Sequence, residues 1–428
     1  MLPKFKNFIR SYLISDQSLI LSLYHNFTAW FWALAFGLPV RGMHVIAVTG
    51  TNGKTSCCNL LYQAYTKLGL KTSMLSTVNY AINNELFDNK QKMSTLPAFK
   101  LNRLLRKMSK AGSQVLIIEA TSHAAFQGRL NGIKFDQLIF TNLGQDHLEY
   151  HGSFEDYKKA KLSYISKLKS KSTFIYNADD SYAGEFVCKI PSGIKTNSFG
   201  FSSSANACIS NLKESLESTR FDCNVYKARF SLHTRLLGRY NVLNVAAVIL
   251  SLKEYGFTMA EIQNIIKHLR PVPGRLDVVI NDLKTFIFDY AHDTESLENL
   301  LKFVAQHKEG DLWLLFGCTG GNRDKLKRPK MGRVAEKYAN KIILTNDDPY
   351  NEDPDAIIAD IMVGIQNHSQ VMQIVDRSDA IKHALENMQN KDVLVLAGKG
   401  GEKVIAIGDE LICFDEKQIV LDFFNDSI

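Results

Sequence analysis

The chain has 428 residues, 45% hydrophobic and 22% charged, with a net charge of +7. That is an ordinary soluble protein of two or three domains, large enough to need no disulfide or metal staple. Its basic residues are scattered apart from Arg323, Lys325, Lys327, Arg328 and Lys330, so no nucleic-acid partner is expected, and seven cysteines without a C-x-x-C pair point to a reducing compartment without a zinc ribbon.

Residues 17 to 40 contain no Asp, Glu, Lys or Arg, and Lys4, Lys6 and Arg10 precede them. Ala33-Leu34-Ala35 superficially offers a signal cleavage site, and the length suits a membrane span. Ser18, Ser22, His25 and Asn26, however, form a polar stripe at helical spacing, and Gly37 and Pro39 end the run. The preferred reading is a helix packed on the protein, with a helix lying at a membrane surface as the alternative.

From Met43 the chain alternates short apolar runs with helical stretches. Val45–Val48, Val115–Ile118 and Leu138–Phe140 read as buried parallel strands, and residues 56–68 and 99–110 as crossover helices. The first strand runs into Gly50-Thr51-Asn52-Gly53-Lys54-Thr55-Ser56. A glycine turn entering a helix presents backbone N–H groups to phosphates. Lys54 would neutralise them and the Thr55 hydroxyl would hold Mg²⁺. Val48 stands where the strict phosphate-loop pattern has its first glycine. Such a site needs cytosolic ATP, which removes the signal-peptide reading. Glu119 ends the second strand, where open α/β sheets place ligand groups, and is a candidate Mg²⁺ ligand. His147, in the segment after the third strand, could ligate a second metal. Lys161, on the helix that follows, means little by itself.

Pro271-Val272-Pro273-Gly274 reads as a linker. Beyond it, strands are expected at Phe286–Phe288, Leu312–Phe316, Lys341–Leu344 and Val393–Leu396 with helices between them. The expected fold class is α/β: a phosphate-loop central domain with a mostly parallel sheet, then a Rossmann-like carboxy-terminal domain. The segments are 1–42 (apolar and helical), 43–270 and 271–428.

In order and approximate spacing, G-T-N-G-K-T, E-A-T-S-H, T-N-L-G-Q-D-H-L-E-Y-H-G and Y-K-K-A-K resemble the central domain of the Mur ligase family. The run from Phe316 to Met331, with Gly320-Gly321-Asn322-Arg323-Asp324-Lys325, is most similar to the UDP-N-acetylmuramoyl-tripeptide synthetase (MurE) branch. The resemblance implies an ATP- and Mg²⁺-dependent ligase of peptidoglycan precursor synthesis, cytoplasmic and monomeric. Such an enzyme adds an amino acid to a muramoyl-peptide through an acyl-phosphate. It implies that Lys161 is carbamylated and joins His147 at one metal site, with Glu119 at the other, and that Thr141 and Asn142 line the phosphates. Ser94 or Thr95, Ser122 and His123 would meet the muramoyl-peptide. Asn241 would contact adenine and Asp289 ribose. Arg275 would reach the phosphates after domain closure, and Lys325 would stabilise the transferred phosphoryl group. Gly398 and Glu402 would meet the distal amine of the incoming amino acid.

Two departures are read from the same comparison. The family's usual amino-terminal UDP-binding domain has no match in residues 1–42, so a lipid-linked acceptor and a membrane contact through residues 17–40 are alternative expectations. Asn346-Asp347-Asp348-Pro349-Tyr350 replaces the D-N-P-R of enzymes specific for meso-diaminopimelate. Tyr350 cannot grip a carboxylate as an arginine does, and an acidic Asp348 would suit a cationic side chain such as lysine or ornithine, unless it is an unpaired surface residue. The rival class is a non-catalytic nucleotide-binding homologue.

Overall fold

The computed structural model describes residues 19–89, 95–146, 148–226, 228–281, 284–321 and 323–425. The chain forms two compact units: Met1–Leu212 with Arg220–Thr234 and Arg239–Leu269, and Arg270–Ile428 with Lys213–Thr219 and Arg235–Gly238.

The first unit opens with helix α1 (Leu19–Ala35), followed by β1 (His44–Thr49), α2 (Lys54–Lys67), β2 (Thr72–Leu75), β3 (Asn79–Ile82) and β4 (Glu85–Asp88). Then come α3 (Ala98–Lys110), β5 (Val115–Glu119), α4 (Ser122–Phe126), β6 (Phe135–Phe140), α5 (Phe154–Leu162), β7 (Leu168–Asn177) and β8 (Lys195–Gly200). The rest is β9 (Ala207–Glu214), β10 (Thr219–Val225), β11 (Ala228–Thr234), α6 (Arg239–Tyr255) and α7 (Met259–Ile266). Among the described residues eleven strands form one sheet in the order β11-β10-β9-β8-β7-β6-β1-β5-β2-β3-β4. From β2 through β5, β1, β6, β7 and β8 to β9 every pairing is parallel. All of β5 is buried, as is β1 beyond His44, which is why these strands read as unbroken apolar runs.

Helix α1 settles on this unit. Ala29 and Ala33 are buried, the Asn131 side chain donates to Asn26 Oδ1 at 2.8 Å, and a Cβ on Gly132 would stand 2.7 Å from that of Ala33. The inner face of α1 thus packs on protein, and no helix among the described residues is long and apolar enough to cross a membrane.

The second unit holds β12 (Asp277–Asn281), β13 (Lys284–Asp289), α8 (Thr294–His307), β14 (Leu312–Phe316), α9 (Lys327–Tyr338) and β15 (Lys341–Leu344). It continues with α10 (Pro354–Met362), β16 (Val371–Gln373), α11 (Arg377–Asn387), β17 (Val393–Ala397), β18 (Val404–Ile407), β19 (Glu410–Cys413) and α12 (Glu416–Asn425). Its main sheet runs β12-β13-β17-β14-β15-β16, parallel except for the β12–β13 edge pair, and β18 and β19 form a separate antiparallel pair. Core side chains such as Phe286, Leu315, Ile381 and Leu394 fill the space between this sheet and α11 and α12.

Candidate active site

Strand register assembles the site of the first unit. Val48 of β1 lies opposite Glu119 of β5, and Thr49 lies opposite Phe140 of β6. Gly50, Ala120 and Thr141 therefore leave the sheet side by side at its carboxyl edge. The Ala120 N–H still donates to Val48 O and the Thr141 N–H to Thr49 O.

The loop after β1 is locked by its neighbours. The Asn52 N–H donates to Asn142 Oδ1 at 2.8 Å, and Asn142 Nδ2 and Thr141 Oγ1 both donate to Asn52 O. The Thr51 hydroxyl takes the Gly144 N–H at 2.9 Å and shares a hydrogen bond with the Tyr157 hydroxyl. A Cβ on Gly50 would stand 2.0 Å from Thr141 Oγ1 and 3.0 Å from the Asn142 carbonyl oxygen, so no larger residue fits without a shift of the neighbouring loop. Gly53, at φ +83°, turns the chain into α2 and leaves only 3.1 Å between its would-be Cβ and Asn244 Oδ1. The first-turn N–H groups of α2, at Lys54, Thr55 and Ser56, have no helical acceptors and form a ready anion cradle.

Two cations stand at this loop. Lys54 Nζ donates to Gly50 O at 3.0 Å and Thr51 O at 2.7 Å. Lys161 is only 1% exposed, donates to Gly50 O and lies 4.7 Å over the Tyr157 ring. Burial, and then the charge of Lys54, hold its ammonium well below the usual lysine range. Among the described residues no carboxylate forms an ion pair with Lys161.

Glu119 is fully buried. Thr77 donates both its N–H (3.1 Å) and its hydroxyl (2.6 Å) to Oε2, while Oε1 has no hydrogen-bond partner among the described residues. An orphaned buried carboxylate oxygen can accept a further ligand. Together with the Thr55 hydroxyl it suits Mg²⁺, which takes one or two protein oxygens and completes its shell with substrate phosphates and water. No trio of His, Cys, Asp and Glu forms a metal cluster among the described residues. His147 and Ser94 lie outside the described residues.

The expected acceptor residues fall beside Glu119. The Thr95 hydroxyl donates to Glu119 O at 3.2 Å, and the buried Ser122 Oγ has no partner among the described residues. The His123 ring sits 4.0 Å from that of Tyr150. Asn241 is buried near the start of α6, where Asn244 Nδ2 donates to its Oδ1 at 3.4 Å.

In the second unit the carboxyl ends of β13, β17, β14 and β15 gather their loops in the same way. Asp289 is buried and accepts the Leu276 N–H at 2.6 Å. Burial lifts its carboxyl to about 6 against the pull of Arg275, whose guanidinium lies 4.3 Å from the Tyr290 ring centre. Gly274 meets the 400–401 backbone so closely that a Cβ would stand 1.8 Å from Gly401 N. Asp347 and Asp348 are both buried. The fully buried Lys399 ammonium donates to Asp348 Oδ1 at 2.8 Å and Glu402 Oε2 at 3.1 Å, with Asp347 Oδ1 at 3.8 Å. Asp348 also accepts the Ala406 N–H at 2.7 Å, so it is an internal partner of Lys399 and not an unpaired surface residue. Gly398 lies against Asp347, whose Oδ2 would be 3.1 Å from a Cβ there. Lys325 is 58% exposed and pairs at 2.6 Å with Glu352, which the buried Arg328 also holds.

Sequence reasoning missed Thr77 and Tyr157. Tyr157 had a signal, standing four residues before Lys161 on one helical face. Thr77 had none, because only the pairing of Leu75 with Ile118 brings the end of β2 beside Glu119.

The Mur ligase middle domain family matches residues 48–252, and the Mur ligase glutamate ligase domain family matches residues 274–400. The UDP-N-acetylmuramoyl-L-alanyl-D-glutamate–2,6-diaminopimelate ligase of Bacillus cereus is 35% identical over 391 residues, 90% of this chain and 78% of that protein. The ligase of the same name from Haemophilus influenzae is 34% identical over 409 residues, 94% of this chain and 83% of that protein. A solved structure of such a ligase aligns with a TM-score of 0.65 at 32% identity, covering 94% of this chain and 82% of that one. A Mycobacterium tuberculosis folylpolyglutamate synthase shares the fold alone, with a TM-score of 0.72 at 14% identity.

Proposed function

Because the chain belongs to the Mur ligase family and is an ATP-dependent ligase of peptidoglycan precursor synthesis, we propose that it joins a diamino acid to the terminal carboxylate of a muramoyl-peptide, acting in the cytoplasm as a monomer. A carboxylate is a poor electrophile. Transfer of the terminal phosphoryl group of ATP makes it an acyl-phosphate, which the amine attacks, and the tetrahedral adduct collapses with loss of phosphate. Bringing two anions to ~4 Å costs about 4 kcal/mol at an effective dielectric of about 20. Most of the catalytic task is therefore positioning and charge neutralisation.

The single observation that supports this most is the junction of the three loops after β1, β5 and β6. There the α2 cradle, two lysines and the orphaned Glu119 oxygen share one sheet edge. Thr55 and Glu119 would hold Mg²⁺, which supplies charge neutralisation on the phosphates. Lys54 would hold the β/γ-phosphates. Lys161 would take up CO₂ through its neutral amine, forming an N–C bond and losing a proton; the resulting carbamate would serve with His147 at a second metal. The burial that depresses the Lys161 ammonium favours that neutral amine. Thr95, Ser122 and His123 would meet the peptide. In the second unit Asn346 to Tyr350, Gly398 and Glu402 would meet the incoming amino acid.

Diaminopimelate, the amino acid in the relatives' names, is the first candidate. One observation favours a second reading, a diamino acid without a distal carboxylate: Tyr350 stands where the diaminopimelate pattern has arginine, with its ring Cδ2 3.7 Å from a would-be Cβ on Gly321. Phosphate release should be measured for diaminopimelate, lysine and ornithine on UDP-linked and lipid-linked acceptors. Amino-acid-dependent release in one combination is expected. ATP binding without such release in any combination would reduce the chain to a non-catalytic homologue.

A further inference from the structure

The outer face of α1 is unlike the rest of the surface. Its inner face is spent on Asn131 and Gly132, yet Tyr24, Phe27, Trp30, Phe31 and Leu34 are 49% to 71% exposed. Phe27 and Phe31 stack at 6.4 Å, Phe31 meets Trp32 edge-on at 5.0 Å, and Trp32 meets Phe99 of α3 at 4.7 Å. The aromatic row thus runs from one helix onto the next without a polar break.

At Phe99 the chemistry changes. Helix α3 carries Lys100, Arg103, Arg106, Lys107 and Lys110, all exposed, and no acidic residue. Phe99, Arg103, Arg106 and Lys110 follow at helical spacing on one stripe. Arg106 Nη1 comes within 3.8 Å of a would-be Cβ on Gly37, so the basic row lies alongside the end of α1. Arg103, Arg106, Lys107, Lys110 and the exposed Arg41 form no ion pair among the described residues. Cations gathered on one helix without an acid among them cost self-repulsion that a folded protein ordinarily offsets with interspersed acids.

We propose that this α1–α3 face docks on the surface of a bilayer rich in anionic headgroups, the aromatic row entering the headgroup boundary and the α3 cations meeting lipid phosphates. A helix lying in the interface needs an apolar face with bulky aromatics and a basic flank, and each cation near an anionic surface adds to binding. The same charges argue against a second copy of the chain as the occupant, since that would set two unpaired basic rows together. The proposal stands apart from the ligase reading, because the face contains none of the candidate active-site residues.

Flotation of the full chain with vesicles decides it. It should rise with vesicles of mixed phosphatidylglycerol and phosphatidylcholine, stay behind with phosphatidylcholine alone, and bind more weakly as salt screens the charges. Arg103→Glu with Arg106→Glu, and separately Phe27→Ser with Phe31→Ser, should each weaken binding at least tenfold. Lys341→Glu with Lys382→Glu, the same charge change elsewhere, should not. All these positions are exposed, and unchanged thermal unfolding checks that the variants fold. The proposal is overturned if wild type ignores anionic vesicles, or if the two α3 reversals bind like wild type. It also fails if the phenylalanine changes abolish only self-association in sedimentation, which would give the face to a second copy.

Discussion

Both units place functional loops at the carboxyl edge of a parallel sheet, but they handle charge in opposite ways. In the first unit the loop after β1 is held by neutral hydrogen bonds from Asn142, Thr141 and Gly144, and its lysines rest on backbone carbonyls. In the second, buried charges neutralise one another: Lys399 against Asp348 and Glu402, and Arg377 against Glu416, with both members of that last pair no more than 2% exposed. The first edge is tied together by neutral side chains and backbone carbonyls, whereas the second uses buried ion pairs as struts. Mutation should therefore cost activity in the first unit and stability in the second.

The largest effect should come from Arg377→Met. Arg377 donates Nε and Nη2 to Glu416 Oε2 at 3.0 and 2.8 Å and also ties the Ala397 and Asn346 carbonyls. Its loss would strand a buried carboxylate, at about 3–5 kcal/mol in denaturant unfolding. Adding Glu416→Leu should recover much of that loss. If the single change costs under about 1 kcal/mol, the second-unit charges are not struts.

Next is Lys54→Ala. Removing one preorganised charge stabiliser is expected to lower amino-acid-dependent phosphate release by about 10²–10³, with unfolding shifted little. A variant that loses stability and activity in proportion would erase the contrast. Lys161→Met should separate the two properties further. It removes a buried amine whose charging burial already penalises and which has no ion-pair partner among the described residues, so the melting temperature should hold or rise while activity is lost. A clear fall in melting temperature would mean that the cation supports the fold.

The contrast also marks what the sequence can show. The strands β1, β5, β6, β14 and β17 are buried on both faces, and their apolar runs mark them to within a few residues. The strands from β9 to β11 escape such reading, because Ser210, Asn211, Lys213 and Glu214 or Arg229, Ser231 and His233 break any apolar run at the outer part of the sheet. Glycine turns and strand-end carboxylates are local, so the turn from Gly50 into α2 and the strand-end place of Glu119 were legible. The partners of buried charges are not local. Lys399 meets Asp348 across 51 residues and Arg377 meets Glu416 across 39, and nothing in either stretch announces the other.

The smallest effect is one of pH, and it probes the struts directly. Burial lifts the Glu416 carboxyl from 4.5 to about 7, against the opposing pull of Arg377. The folded state then holds a proton that the unfolded chain releases between those values. This stabilisation is fully present below pH 4.5 and is lost as pH rises through 7, which amounts to about 3 kcal/mol. Glu416→Gln keeps the neutral shape and cannot ionise, so its unfolding free energy should vary less between pH 4.5 and 8 than that of wild type. Parallel pH profiles for the two proteins would place the Glu416 titration below this window. The ion pair would then be fully charged at neutral pH, and the second unit would hold its loops by Coulomb attraction without help from a shared proton.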